Sequence, residues 1–461
     1  MTSRRQFLWS AGLYAAGFVG LRALANQPLA KALEGSPRVG FGPLATDPAG
    51  IIELPNGFRY AMFSRTGEEM DDGLLVPGMH DGMAAFAGPD GRTLLVRNHE
   101  MESDWFERGS PYGPDRARLD RVARRKIYDR GEGLQPSIGG TTTLVFNTRT
   151  QQLERHFLSL AGTERNCAGG PTPWGTWITC EEVNEQPEAH AEKLHGYNFE
   201  VTPSAEPGLV DPVPLKAMGR FRHEAVAVDP RSGCVYETED LGDGLLYRFI
   251  PDRPGRLALG GRLQALKIRG ERGADTRNWP GTPQFPVGEP LEVEWIDLED
   301  VDSPLLDLRY RGAAKGAAVF ARGEGAWWGR DEAYFAMTNG GRLTKGQVFR
   351  YRPSPYEGTT RESEQPGTLE LFAEPNDSEL VSNCDNLTVA PWGDLILCED
   401  TSGRCRVVGV TPKGEFYVLA AMPVEGRELA GACFSPDGST LFVNVQNPGF
   451  TVAISGPWPR A

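Results

Sequence analysis

Pro173-Trp174-Gly175-Thr176-Trp177-Ile178-Thr179-Cys180-Glu181-Glu182 reads as a tight turn, a short apolar strand and two carboxylates. The same order returns along the chain. Pro89-Asp90-Gly91 leads through Thr93-Leu94-Leu95-Val96-Arg97-Asn98 to His99-Glu100. Asp229-Pro230-Arg231-Ser232-Gly233 leads through Cys234-Val235-Tyr236 to Glu237-Thr238-Glu239-Asp240. A weaker copy covers residues 329–339. A fifth runs from Pro391-Trp392-Gly393-Asp394 to Glu399-Asp400, and a sixth from Pro436-Asp437-Gly438 to Val445-Gln446.

Six copies of turn, strand and polar end predict an all-β chain, a six-bladed β-propeller with insertions, the insertions following from the uneven spacing. In such a ring, equivalent strand ends converge on one end of the central axis, so acids far apart in sequence meet there. Asp-Gly and Pro-x-Gly alone are generic hairpin turns. The acid recurring at one end of the strand favours the ring over the next alternative, a large β-sandwich array. Glycine and proline supply 56 and 36 of the 461 residues, spread as turns rather than gathered in a linker. Helical periodicity is scarce. Its clearest patch, residues 116–128, is expected as a helical insertion.

The start of the chain reads as an address. Ser3-Arg4-Arg5-Gln6-Phe7-Leu8 is a twin-arginine pattern, residues 9–21 are apolar, and Ala23-Leu24-Ala25 is a small-residue cleavage site. Residues 1–25 are therefore expected to be a twin-arginine signal peptide, and residues 26–461 a single β-propeller domain. The apolar run falls short of the roughly 20 residues that span a bilayer, so cleavage is favoured over an N-terminal anchor. The twin-arginine translocase would be a transient partner, and it carries folded chains, which is compatible with a cofactor loaded before export. Removing residues 1–25 takes away Arg4, Arg5 and Arg22 and no acid, moving the net charge from −14 to −17. So acidic a chain is not expected to bind nucleic acid or an anionic membrane surface. Its expected location is the periplasm or the exterior.

The seven cysteines are Cys167, Cys180, Cys234, Cys384, Cys398, Cys405 and Cys433. An odd number leaves at least one unpaired in an oxidising compartment, and no C-x-x-C pair suggests zinc. Cys180, Cys234 and Cys398 sit in apolar strand patterns and read as buried core thiols. Cys167 stands apart, in a turn formed by Asn166-Cys167-Ala168-Gly169-Gly170. A soft donor shortly before Glu181 and Glu182 suits a metal site that takes both soft and hard ligands.

Other constellations carry oxygen and nitrogen chemistry. Asn98-His99-Glu100 and Arg222-His223-Glu224-Ala225 each place a histidine before a glutamate. The glutamates are the better ligand candidates, because histidine beside a carboxylate more often orients it. Arg322-Gly323-Glu324 offers a planar fork that can clamp two phosphate oxygens, although R-x-E alone is usually a surface ion pair. Asp385-Asn386 supplies oxygen donors of the kind calcium takes, a turn or cap being the plainer reading. There is no G-x-S-x-G elbow and no P-loop.

With these residues in view, the chain resembles the PhoX-type alkaline phosphatases. The resemblance spans the twin-arginine start, Asn166 to Gly170 with Thr172-Pro173-Trp174-Gly175-Thr176-Trp177 and Cys180-Glu181-Glu182, Arg222 to Ala225, Arg322-Gly323-Glu324, and Glu428-Leu429-Ala430-Gly431 through Phe434-Ser435-Pro436-Asp437-Gly438. It implies a six-bladed propeller, a mixed Fe3+ and Ca2+ cluster at one end of the channel, and hydrolysis of phosphate monoesters. Carried over by position, it implies Cys167 as an iron ligand and Glu182, Glu224 and Glu324 as ligands to iron and calcium. It adds Asp385 and Glu100 as further members of the cluster, Arg322 as the residue that holds substrate phosphate, and Asn98 as a phosphate contact. The chain departs from the family at Val445-Gln446-Asn447-Pro448-Gly449, where Asn447 replaces a usual histidine.

The expected function is that of an exported, metal-dependent phosphatase acting on small phosphomonoesters and releasing inorganic phosphate. One alternative is a propeller hydrolase using calcium alone, a lactonase or phosphotriesterase, which would not need Cys167. The other is a non-enzymatic periplasmic propeller scaffold, which leaves the segment from Cys167 to Glu182 unexplained.

Overall fold

The computed structural model describes residues 39–131, 135–183 and 191–459. Residue contacts divide the chain into two units, Met1–Gly42 and Pro43–Ala461. The expected signal peptide, residues 1–25, lies outside the described residues. All the sheets belong to the second unit. Among the described residues no helix is long and apolar enough to cross a membrane.

Strands follow one another antiparallel in the order of the sequence. The first sheet holds His80–Ala87, Thr93–His99, Gly139–Asn147 and Gln152–Thr163. The second holds Asn166–Pro171, Trp177–Glu181 and Asn198–Val201. The third begins with His223–Val228 and Val235–Glu239, and the fourth with Gly323–Trp328 and Ala333–Met337. Strand Leu291–Asp297 fuses those two into one nine-stranded sheet. The fifth holds Cys384–Val389, Leu395–Glu399, Arg406–Val410 and Phe416–Ala421. In the sixth, Leu429–Phe434, Thr440–Val445 and Phe450–Ser455 are joined by Arg59–Phe63 from the other end of the sequence.

The first strand of each sheet is innermost, and the six inner strands contact one another in cyclic order, the last returning to the first. This is a β-propeller, and the closed ring sets the sandwich alternative aside. The ring can be tight because small residues meet at its axis. A Cβ on Gly82 would stand 2.5 Å from the Cα of Ala168, and one on Gly325 would stand 2.7 Å from the carbonyl oxygen of Asp385. Trp327 and Trp177 also line this neck, which encloses only about 10 Å³, room for one water at most.

Each recurring turn, strand and acid of the sequence is the second strand of a sheet with its preceding hairpin. In the second hairpin Gly175 takes φ 85°, a left-handed conformation that glycine adopts without a Cβ penalty. The turn closes through Gly175 N donating to Thr172 O at 3.0 Å.

Residues 116–128 are not an α-helix. They contain two short 3-10 turns, Leu119–Arg121 and Arg124–Lys126. Tertiary pairing overrides the weak local periodicity. Val122 and Ile127 enter an apolar cluster, and Tyr128 N donates to Ala161 O at 2.9 Å, laying the segment against strand Gln152–Thr163. The α-helix among the described residues is Leu308–Lys315, in a different insertion.

Candidate metal centre

One backbone irregularity is repeated around the ring. The first residue of each inner strand pairs with the last residue of the second strand: His80 with His99, Asn166 with Glu181, His223 with Glu239, Gly323 with Met337, Cys384 with Glu399 and Leu429 with Val445. A register shift follows each time, with one extra residue on the inner strand. Such bulges re-aim side chains and break the ladder. In five sheets the residue just after that first pair is a potential ligand: Asp81, Cys167, Glu224, Glu324 and Asp385. The residues that immediately follow the second strands add Glu100, Glu182, Asp240, Asp400 and Gln446. Cys167, expected in a turn, is thus on a strand at a bulge.

These positions converge on one cavity of about 280 Å³. Nine carboxylates line it, from Asp81, Glu100, Glu182, Glu224, Asp240, Glu324, Asp385, Asp400 and Glu428, together with the Cys167 thiol and three guanidiniums, from Arg165, Arg222 and Arg322. Two triplets bring one donor atom each to within 4.8 Å of one another: Cys167, Glu182 and Glu224, and then Glu224, Glu324 and Asp385. Glu224 is common to both.

The electrostatics of the bare cavity are unfavourable. Two like charges 4.8 Å apart repel by about 3.5 kcal/mol at an effective dielectric constant of about 20. Three such pairs in the all-carboxylate triplet approach the folding stability of a typical domain, roughly 5–15 kcal/mol. The carboxyls respond by holding protons. Burial, then the charge of Glu100, pushes Glu182 up to about 8. Burial, then Asp400, pushes Asp385 up to about 7. Burial followed by neighbouring acids drives Asp81, Glu224, Glu324 and Glu428 well above the carboxylate range. Asp240 runs the other way: burial raises it, but the hydrogen bond and charge of Arg322 outweigh that and leave it lowered. Burial, with the charges of Glu224 and Glu182, holds the Cys167 thiol well up, and its Sγ faces His223 O at 3.3 Å. One oxygen of Asp81 is buried without any hydrogen-bond partner. A thiol, a set of hard oxygens and an orphaned carboxylate oxygen together fit divalent or trivalent cations, which would let the acids ionise.

The three arginines are already tied down. Arg165 pairs with Glu100, with Glu182 at 2.6 Å and with Glu102 at 3.1 Å. Arg222 pairs with the other oxygen of Glu182 and stands 3.7 Å from Asp240. Arg322 takes φ 51°, a conformation costing a non-glycine residue about 1–2 kcal/mol. Its fork grips Asp240 at 2.7 and 2.8 Å and reaches Glu324 at 2.8 Å.

Of the residues expected at the site, Cys167, Glu182, Glu224, Glu324, Asp385, Glu100 and Arg322 line this cavity. Asn98 does not. It is fully buried, its amide donates to Cys167 O at 3.1 Å and Ala168 O at 2.7 Å, and its oxygen accepts from Trp177 Nε1 at 2.9 Å. Its hydrogen bonds thus go to the strand and the indole beside the cavity, and it is not among the residues that line it. The two histidines that precede glutamates lie outside the cavity lining. His99 bridges Gly78 O and Thr142 Oγ1, both at 2.9 Å, and His223 stands 3.2 Å from Glu237 and stacks on Phe221.

Sequence reading missed Asp81, Arg165, Gln446 and the cavity roles of Asp240, Asp400 and Glu428. Gln446 Nε2 lies within 3.1 Å of Asp81, 2.9 Å of Glu100 and 3.0 Å of Glu428. A signal for Asp81 exists: it follows His80 as Glu224 follows His223.

The profile of the family described as alkaline phosphatase PhoX matches residues 39–149 and 120–449. Among solved structures, Pseudomonas fluorescens PhoX in complex with vanadate, a transition state analogue, superposes with a TM-score of 0.64 at 20% identity, covering 91% of this chain and 98% of that one. A gluconolactonase from Xanthomonas campestris follows at 0.42 and 10% identity, covering 91% of this chain and 99% of that one. No curated protein sequence matches the chain. The fold and its acid-lined axial cavity define a β-propeller with a candidate metal centre. The chain belongs to the alkaline phosphatase PhoX family. It is a phosphatase, which removes the non-enzymatic scaffold from consideration.

Proposed function

We propose that the chain is an exported, metal-dependent phosphomonoesterase that hydrolyses small phosphate monoesters and releases inorganic phosphate, with Fe3+ and Ca2+ in the acid-lined cavity. The observation that carries this reading is the repeated bulge, which aims Asp81, Cys167, Glu224, Glu324 and Asp385 at one space. Cys167, Glu182 and Glu224 offer one soft and two hard donors, the set for iron. Glu224, Glu324 and Asp385 offer oxygens alone, the set for calcium, and Glu100 stands in the same wall. Bound cations would supply charge neutralisation for the phosphoryl oxygens, the main requirement of phosphoryl transfer.

The protein's own part is to position. Arg322 is held in plane by Asp240, and its Nη1 has no hydrogen bond among the described residues. It therefore presents a pre-oriented donor to a substrate phosphate. The twin-arginine pattern in residues 1–25 supports export through the twin-arginine translocase to the periplasm or beyond.

The test is elemental analysis of protein exported through its own signal, paired with p-nitrophenyl phosphate turnover before and after chelation. Stoichiometric iron and calcium, with turnover lost on calcium removal, is the expected result. Calcium without iron would turn the reading to a calcium-only hydrolase. Full turnover in metal-free protein would overturn the metal requirement.

A further inference from the structure

Each candidate cation group has an arginine resting on one of its carboxylates. Glu182 is shared: Arg165 holds one oxygen at 2.6 Å and Arg222 holds the other. Glu182 also belongs to the triplet with Cys167 and Glu224. A cation in that triplet and two guanidiniums on the same carboxylate repel one another, so cation binding displaces the arginines that lack a second strong partner. Arg322 does not lack one, since the Asp240 fork holds it on two bonds, and neither does Arg165, which keeps Glu100 and Glu102. Arg222 does, its remaining partner being Asp240 at 3.7 Å.

A second observation points the same way. The Nε atoms of Arg165 and Arg222 are both buried and have no hydrogen-bond partner. A buried, unused N–H on a permanently charged guanidinium is costly, and an anion in the cavity would satisfy it. Both side chains line that cavity.

Resting on the phosphatase reading, we propose that Arg222 is an anion-binding residue for the phosphoryl group, held back by Glu182 until a cation takes that carboxylate. Cation loading and phosphate binding are then linked: the ion occupies Glu182 and releases the donor that receives the anion.

The test uses calorimetric titration of the full chain with two probes, ferric citrate and inorganic phosphate. Arg222→Gln removes a competitor for Glu182, so iron is expected to bind several-fold more tightly to metal-depleted protein. The same change removes a phosphate donor, so phosphate binding to metal-loaded protein is expected to weaken by about tenfold or more. Arg222→Lys should recover part of the phosphate affinity. Arg222→Ala, read by the same two titrations, keeps the test open if Arg222→Gln fails to fold. A purely structural role would weaken both affinities together, and that result overturns the proposal. Unchanged phosphate affinity in the Arg222 variants overturns it as well. Arginine-dependent phosphate binding without turnover of any monoester would keep this assignment and sink the phosphatase reading. Loaded wild-type protein that binds no phosphate would sink the assignment itself.

Discussion

The side-chain amide of Asn98 donates to the backbone carbonyl of Cys167 at 3.1 Å, from the neighbouring sheet and wholly out of solvent. Its second donation, to Ala168 O, and its acceptance from Trp177 Nε1 fix the strand on both sides of the bulge. Asn98→Ala leaves two carbonyls and an indole N–H unpaired, at about 1–3 kcal/mol for each orphan that water cannot reach. We expect a loss of about 3 kcal/mol in denaturant unfolding, with reduced iron content. Holoenzyme that does form should keep its KM for p-nitrophenyl phosphate, where a direct phosphate contact would raise it.

Cysteine substitutions should divide sharply by position. Cys167→Ala and Glu224→Gln are expected to lose iron and activity together, by a factor of about a hundred or more. Cys234 is buried at the edge of a second strand and faces an apolar cluster, so Cys234→Ala should leave both unchanged. Retention of iron in Cys167→Ala, measured by elemental analysis, would remove the soft-donor assignment.

Stability of metal-depleted protein should fall as pH rises. Glu182 and Asp385 are pushed up to about 8 and about 7 by burial and neighbouring acids, above ordinary values of 4.5 and 3.8. A carboxyl raised in the folded state binds its proton more tightly there than in the unfolded chain. Its contribution is therefore present in full below the ordinary pKa and lost as pH climbs through the folded value. The Tm of chelated protein should drop between about pH 5 and 8. Calcium displaces those protons, so the rise in Tm that it gives should be larger at pH 8 than at pH 6. A Tm that is flat with pH in chelated protein would contradict this.

Close packing at the axis makes Gly82 less replaceable than a turn glycine. A Cβ there meets Ala168 Cα at 2.5 Å and Cys167 O at 2.9 Å, whereas one at Gly175 meets nothing within 4 Å. Gly175→Ala should cost only the left-handed backbone, about 1–2 kcal/mol. Gly82→Ala should cost at least about 1–3 kcal/mol of overpacking and also reduce iron content by shifting Cys167. Equal metal loading in the two variants would argue against this coupling.

The ring was legible because each second strand and its hairpin form a contiguous run, such as Pro391-Trp392-Gly393 through Glu399-Asp400, and local turn chemistry writes itself into such runs. The inner strands were not. Each is interrupted by a bulge two residues in, so His80-Asp81-Gly82 shows neither clean alternation nor an apolar run. Cys167, Glu224, Glu324 and Asp385 came from family resemblance and donor chemistry together. Arg165 and Gln446 carry no motif, and their place follows only from the register of the second sheet and the end of the sixth. The helix expected at residues 116–128 failed because Val122 and Ile127 gain more from the adjoining apolar cluster than from one another.

Strand Arg59–Phe63 completes the sheet formed by Leu429–Phe434, Thr440–Val445 and Phe450–Ser455. Thr451 must therefore be synthesised before Phe63 finds its neighbour. The cavity takes side chains from every sheet, and Glu428 and Gln446 are the last of them to be synthesised. Its wall is therefore complete only once the sixth sheet has closed on Arg59–Phe63, so the two ends of the sequence share the task of finishing one site.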